Sequence, residues 1–144
     1  MEQIAVEAMR SEDLDQVLEL HRTLIPYGID RQRAQECWRQ VMDRPDYRIL
    51  VAREGTQVLG TVTLILCRAL AENFLVLEDF VVRPGLTGRG IGGKLMDAAD
   101  EFAARQDCAY AILVSSGFRK DAHRFYENHG FTDDVRGFRK VYAP

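Results

Sequence analysis

The 144-residue sequence is poor in the features that mark several classes of protein. It has only 4 prolines and 3 cysteines, and its 19 Lys and Arg are outnumbered by 22 Asp and Glu. This balance excludes the strongly basic face that is typical of nucleic-acid-binding proteins. No apolar run approaches the roughly 20 residues of a membrane-spanning helix, and the N-terminus has no signal-peptide pattern. We therefore expect a cytoplasmic protein with no nucleic-acid partner and no membrane partner.

Metal-binding patterns are also missing. The sequence contains three isolated cysteines: Cys37, Cys67 and Cys108. Without a C-x-x-C pair, this spacing is typical neither of a zinc site nor of a secreted disulfide framework. His21, His123 and His129 form no H-E-x-x-H or other metal-binding spacing. We expect no bound metal, and cysteines that serve as small buried apolar residues in a reduced cytoplasm.

The apolar and charged content of the sequence is typical of one folded domain. Apolar residues make up 47% of the chain and charged residues 28%. A chain of this length buries roughly 70% of its unfolded surface, so a core forms without disulfides or metal. No repeat, linker or low-complexity stretch divides the sequence. We predict a single domain over residues 1–144.

Apolar periodicity predicts alternating strands and helices. The predicted strands cover residues 3–8, 48–52, 58–67, 74–82 and 109–114, with one or two closing strands in 131–142, and the predicted helices cover residues 11–25 (with Ser11 as N-cap), 31–43, 90–105 and 119–129. Three consecutive strands with short connections favour an antiparallel meander. The order of elements indicates an α+β fold around a mixed sheet.

Glycine is concentrated in one segment, between a predicted strand and a predicted helix. Five of the 11 glycines fall within nine residues: Gly85, Gly88, Gly90, Gly92 and Gly93. Glycines let the backbone approach a ligand closely, and the free N–H groups at a helix start attract phosphate oxygens. Arg83, Arg89 and Lys94 add positive charge. The segment therefore predicts a phosphate-binding turn.

Two familiar phosphate motifs match this segment only in part. Gly88 to Gly93 satisfies G-x-G-x-x-G, but the next predicted strand has no carboxylate at its end to hold a ribose. Gly88 to Lys94 satisfies G-x-x-x-x-G-K, but Leu95 stands where a hydroxyl would hold magnesium. A nucleotide-dependent phosphotransferase stays as an alternative class of enzyme.

A third pattern accounts for more of the chain. Val81 to Met96 resembles motif A, R/Q-x-x-G-x-G/A, of the GNAT superfamily of N-acetyltransferases, with Thr87 where the family usually has Arg or Gln. Ala122 to Phe131 resembles motif B, A-x-x-F-Y-E-x-x-G-F, at the family's spacing. The resemblance covers roughly residues 47–142. Within the family, the stretches 121–126 and 137–140 are most similar to aminoalkylphosphonate acetyltransferase-like proteins.

The resemblance implies a fold and a reaction. The fold is a three-layer α/β/α arrangement with a mixed, mostly antiparallel sheet whose fourth and fifth strands splay apart. The reaction moves the acetyl group of acetyl-CoA, the co-substrate, to a primary amine of a small molecule by direct attack in a ternary complex. The alternative is a non-catalytic module that binds acetyl-CoA. Family members often pair through C-terminal strands, so we also expect a homodimer through residues 131–142.

The resemblance also implies the site residues. Those expected to bind acetyl-CoA are Phe80, Val81, Val82, Thr87, Gly88, Arg89, Gly90, Ile91, Gly92, Gly93 and Tyr126. The Tyr126 phenol is expected to protonate the leaving sulfur of CoA. Glu78 and Asp79 should point to opposite faces of their strand, because side chains alternate. We expect Glu78 to face the substrate, as a base acting through water or as the anchor of the ammonium group.

Overall fold

The central sheet has five strands that lie side by side in the order of the sequence. The computed structural model describes residues 3–25, 27–86, 88–115 and 120–143. The strands are β1 (Ala5–Ala8), β2 (Tyr47–Glu54), β3 (Gln57–Arg68), β4 (Asn73–Val82) and β5 (Cys108–Ile112), and the helices are α1 (Leu14–His21), α2 (Arg31–Val41), α3 (Ile91–Arg105) and α4 (Lys120–Asn128). Strands β1 to β4 pair antiparallel, and β5 runs parallel to β4. The predicted mixed, mostly antiparallel sheet of an α+β fold is confirmed.

Helices α1 and α3 cover opposite faces of this sheet. Gly60 and Thr61 are neighbours on β3 and therefore point to opposite sides. Val81 lies opposite Thr61 in the β3–β4 ladder and packs in one cluster with the buried residues of α1. Gly60 faces α3, where a Cβ atom at this position would lie 3.1 Å from side-chain atoms of Ile91 and Leu95. The predicted α/β/α layering follows from these contacts.

Strand β4 contains a bulge near its middle. The register places Val81 opposite Thr61 but Glu78 opposite Thr63, so β4 has one residue more than β3 over this stretch. Within it, Asp79 has a φ of 51°, in the left-handed region that non-glycine residues seldom adopt. Extra residues of this kind bend a strand and redirect its side chains. Strict alternation therefore does not hold at Asp79.

Strands β4 and β5 share only the first part of β4. Their ladder runs from Asn73, opposite Cys108, to Val76, opposite Ile112. Strand β5 ends at that point, whereas β4 continues to Val82. The separation of the fourth and fifth strands that the resemblance implied thus begins after Val76.

The first helix is shorter than its apolar pattern predicted. It ends at His21, and the hydroxyl of Thr23 donates a hydrogen bond of 2.7 Å to the carbonyl of Leu20 in its last turn. The prediction that Ser11 is the N-cap of this helix is wrong. A 3₁₀ turn at Ser11–Asp13 precedes α1, and the Asp13 carboxylate accepts from the backbone N–H of Arg10 at 2.8 Å.

The prediction of closing strands in 131–142 is wrong. Residues 131–143 contain no strand, and their apolar side chains, Val135, Phe138, Val141 and Tyr142, are exposed. Charged residues and Gly137 separate these side chains, so the near-alternation at the end of the chain is too short to bury one face of a strand. The predicted helix at 119–129 is present as α4.

The chain divides into two compact units. One extends to Ile112 and contains the sheet with α1, α2 and α3, and the second begins at Leu113 and contains α4. The single domain over 1–144 stays a prediction. No helix in the described part of the chain is long and apolar enough to cross a membrane. Among the cysteines, Cys37 is exposed and the other two are half-buried, so the expectation of three buried thiols is wrong.

A buried ion pair joins the start of the chain to the sheet. Arg53 on β2 donates to both carboxylate oxygens of Asp13, at 2.9 and 2.5 Å, and to Glu7 at 2.5 Å. Burial by itself raises the pKa of Asp13, but the hydrogen bonds from Arg53 and from the backbone of Arg10 outweigh it, so the pKa lies below its ordinary value. The pair therefore stabilises the fold as long as Asp13 is ionised.

Replacing Asp13 with Asn should lower the free energy of unfolding by about 3 kcal/mol at neutral pH, because it leaves the Arg53 charge buried without its main partner. Glu7→Gln is the matched control: the Glu7 side chain is 35% exposed, against 4% for Asp13, and its loss should cost below about 1 kcal/mol. Urea denaturation measures both. Since the pKa of Asp13 is depressed in the folded state, the deficit should shrink as the pH falls below about 4. Equal deficits for the two variants would contradict this assignment.

Candidate active site

The turn between β4 and α3 has a backbone that only glycine adopts readily. Gly85, Gly88 and Gly90 have φ values of 87°, 86° and 73°. A Cβ atom at any of the three would have no other described atom within 4 Å. These glycines are thus required by the path of the backbone and not by packing. The space beside them is open to a ligand.

Helix α3 begins directly after this turn, with Gly90 as its N-cap. The N–H groups of residues 91–93 have no acceptor within the helix, because the first turn of any helix leaves its donors unused. The first turn also contains no acidic residue that would compete with an anion. Open space, left-handed glycines and unused amides together fit the pyrophosphate of a CoA molecule.

Two of the three basic residues of the segment, Arg83 and Arg89, have partners elsewhere on the protein. Arg83 donates to the carbonyl of Val58 from two nitrogens, at 3.0 and 2.8 Å, and to Glu19 at 2.9 Å. Arg89 pairs with Glu54, the last residue of β2, at 2.5 Å. Arg83 therefore holds the end of β4 in place, and the charge of Arg89 is balanced by an acid. Thr87, which was predicted to bind the co-substrate, lies outside the described residues.

The end of β4 leads into this turn. Phe80 and Val82 are half-buried and Val81 is buried, and all three belong to the part of β4 beyond the end of β5. The fork between the two strands and the glycine turn thus lie along one continuous stretch of chain. The co-substrate contacts of residues 80–82 stay a prediction.

Two acidic residues lie at the bulge of β4. Glu78 pairs with Thr63, so its side chain is on the α1 face of the sheet. Although Glu78 reaches solvent, packing around its carboxyl raises its pKa, and the negative charge of Asp79 raises it further. Tyr47 on β2 lies opposite Ile65 and shares this face. Burial raises the pKa of Tyr47, and Cys37, Asp79 and Glu78 each raise it further.

Sequence analysis missed one residue that lies close to Asp79, namely His21 at the end of α1. Its Nε2 atom is buried and has no hydrogen-bond partner among the described residues. Burial lowers the pKa of His21 below its ordinary value, and the negative charge of Asp79 offsets part of that decrease. The sequence feature that could have identified His21 is its position seven residues after Leu14, which places it on the apolar stripe of the helix. No group of three or more His, Cys, Asp or Glu among residues of known position is arranged to hold a metal ion.

Tyr126 lies on α4 in the second unit. It is the buried residue of that helix, and its ring makes edge contacts with Phe125 and Phe131, with centroids 5.6 and 6.0 Å away. The Nδ1 atom of His129, four residues after Phe125, donates a hydrogen bond of 2.9 Å to the Phe125 carbonyl oxygen, because a carbonyl oxygen can only accept. The aromatic motif thus packs as a unit. The role of the Tyr126 hydroxyl stays a prediction.

Comparisons with known proteins agree with this geometry. The profile of the acetyltransferase (GNAT) family matches residues 11–131. An aminoalkylphosphonate N-acetyltransferase of Salmonella typhimurium is 26% identical over 133 residues, which is 91% of this chain and 86% of that protein.

Solved structures show the same fold. An acetyltransferase from Agrobacterium tumefaciens superposes with a TM-score of 0.86 at 28% identity, covering 96% of this chain and 99% of that one. An aminoglycoside N-acetyltransferase in complex with CoA superposes with a TM-score of 0.84 at 15% identity, covering 99% and 97% of the two chains. The second likeness concerns the fold alone.

Replacing Gly90 with Val should abolish CoA binding, because a branched side chain would occupy the open space at the helix start and would strain a backbone at φ 73°. Isothermal titration with CoA measures the effect. Gly85→Val is the matched control, since Gly85 has a φ of 87° and equally open surroundings but lies before the helix amides. A folded Gly90→Val protein that binds CoA like wild type would show that the pyrophosphate does not bind at the start of α3.

Proposed function

The chain belongs to the acetyltransferase (GNAT) family, an acetyl-CoA-dependent group of N-acetyltransferases, and we propose that it transfers the acetyl group to a primary amine of a small molecule by direct attack in a ternary complex. The observation that carries the proposal is the open glycine turn at the start of α3, followed by unused helix amides. It lies directly after a β4 strand that extends beyond β5.

Residues of this stretch would hold acetyl-CoA in the proposed complex. The amides of Gly88 to Gly93 would bind the pyrophosphate, helped by the side chain of Arg89 once it leaves Glu54. The backbone of residues 80–82 would pair with the pantetheine arm. A backbone N–H there would stabilise negative charge on the acetyl oxygen. Thr87 would contribute a hydroxyl in place of the longer side chain of its relatives.

The amine must lose a proton before it attacks. An alkylamine is mostly an ammonium ion at neutral pH, and an ammonium nitrogen has no lone pair for the thioester carbonyl. Glu78 lies at the bulge on the α1 face, next to a second acid, Asp79. We assign Glu78 to anchor the ammonium group or to remove its proton through a water molecule. The raised pKa of Glu78 brings it closer to the range in which a base works well.

The leaving sulfur must gain a proton, and we assign Tyr126 as the donor. A thiolate departs more readily when a proton donor stabilises it, and a phenol with an ordinary pKa of about 10 can donate as the C–S bond breaks. The Tyr126 ring is held by Phe125 and Phe131, so its orientation within α4 is defined.

Aminoalkylphosphonates are the first acceptors to test, because a relative that matches most of this chain is named for them. Other primary amines belong in the same screen, since the residues that match the family motifs are expected to contact only acetyl-CoA. The segments that we expect to select the amine are residues 26–33 and 68–73.

Release of free thiol from acetyl-CoA, measured with each amine, tests the proposed function. We expect amine-dependent release and a product heavier by one acetyl group in mass spectrometry. Binding of acetyl-CoA without release across the whole panel would favour the alternative, a non-catalytic module. A melting temperature that rises with ATP and not with CoA would instead favour a phosphotransferase, because a ligand of the native state stabilises it.

Substituting Phe for Tyr126 should lower kcat by about 100-fold with little change in the affinity for acetyl-CoA, because the ring contacts remain and only the hydroxyl is lost. Steady-state kinetics with the best acceptor measures both values. Tyr142→Phe is the control, since Tyr142 is 88% exposed in the C-terminal segment. A kcat of Tyr126→Phe within about threefold of wild type would contradict the acid role.

A homodimer and a cytoplasmic location stay predictions. The four exposed apolar side chains of the C-terminal segment, Val135, Phe138, Val141 and Tyr142, support self-association without the strand pairing that the sequence suggested. Light scattering at micromolar concentration distinguishes a dimer from a 16.4 kDa monomer.

A further inference from the structure

His21 has a buried polar atom that the proposed reaction does not yet use. Its Nε2 has no hydrogen-bond partner among the described residues, and a buried polar atom without a partner is costly to the fold. An atom of this kind indicates a functional role, because packing alone would favour an apolar residue at this position.

The position of His21 points it at the sheet. Leu14, Val17 and Leu18 form the buried stripe of α1, and His21 continues it at helical spacing. The same stripe packs with Val81 of β4, two residues beyond Asp79. The imidazole therefore lies over the bulged part of β4.

We propose that His21 is a positioning residue of the amine site, which accepts, through Glu78 or a water molecule, the proton that leaves the amine, and that Asp79 stabilises the resulting imidazolium. The proposal rests on the proposed function. It also accounts for the left-handed backbone of Asp79, because the bulge changes the direction in which this side chain points compared with a regular strand.

The proton balance of the step is complete. An N–H bond of the ammonium group breaks, and the proton passes by way of the Glu78 carboxylate or water to Nε2 of His21, which the proposed step requires to be unprotonated in the neutral ring. The amine nitrogen then bonds to the acetyl carbon, the C–S bond breaks, and the sulfur takes the Tyr126 proton. The second amine proton leaves as the amide forms and restores the tyrosine, and His21 returns its proton to solvent.

The acidic neighbour of His21 favours this role. Asp79 on β4 acts on the imidazole through its negative charge, and Glu78 directly precedes Asp79 on the same strand. Both acids also act on Tyr47 of β2, which has the Cys37 thiol of α2 as a further neighbour. The C-terminal end of α1 also favours a positive charge on its last residue. Burial keeps the resting ring neutral and ready to accept a proton.

NMR titration of the histidine ring carbons tests the inference without any turnover. The chain has three histidines, and the His21→Gln variant identifies the signal of His21. We expect its midpoint below the ordinary value of about 6.5 and a further decrease in Asp79→Asn, because the variant removes the negative charge that supports the imidazolium. A His21 midpoint that Asp79→Asn leaves unchanged would overturn the inference while leaving the proposed function intact.

Kinetics with the best acceptor amine provides the second arm. We expect His21→Ala to lose at least about tenfold in kcat with an unchanged Kd for CoA and an unchanged melting temperature, and added imidazole to restore part of the loss. Imidazole should not restore Tyr126→Phe, which serves as the control. Loss of activity without rescue, together with a lower melting temperature, would show that His21 is merely structural. A wild-type enzyme that acetylates no amine would contradict the proposed function instead.

Discussion

The contact that the candidate site depends on is the close approach of α3 to β3 at Gly60. A Cβ atom there would lie 3.1 Å from Ile91, from Leu95 and from the carbonyl oxygen of Val81. Because position 60 has no side chain, the first turn of α3 can lie against the strand next to the end of β4. The short turn from β4 to α3 then has to bring its glycines and the helix amides to the fork between β4 and β5. Close packing of this kind leaves little tolerance for larger side chains.

Around the glycine turn, the arginine side chains are paired with other groups of the protein, whereas the backbone amides at the start of α3 are available to a ligand. Arg83 is held by Val58 and Glu19, and Arg89 by Glu54. An anion that enters must compete with Glu54 for Arg89, whereas the amides at the start of α3 are available without rearrangement. Preformed donors cost little to engage. In the proposed complex, the glycine turn would therefore bind phosphate chiefly through the backbone amides at the start of α3.

The bulge of β4 has a comparable effect on the acceptor side. It places Glu78 on the α1 face and gives Asp79 a left-handed backbone, so both acids act on Tyr47, and Asp79 also acts on His21. Two carboxylates close together raise the pKa of at least one of them. A pair of acids close to a half-buried imidazole would suit a cationic amine that is bound and then deprotonated, as proposed.

Local pattern in the sequence determined the meander of β2 to β4, the helices α2, α3 and α4, and the glycine turn, because apolar periodicity and glycine clustering are properties of neighbouring residues. The two motifs predict co-substrate residues around Gly90 for the same reason. Tertiary structure alone decided that Arg89 meets Glu54, 35 residues away, that Asp79 departs from strand alternation and that the Nε2 atom of His21 is buried. It also decided that residues 131–143 form no strand. These features depend on which distant residues come together, and only packing of the whole sheet with its helices determines that.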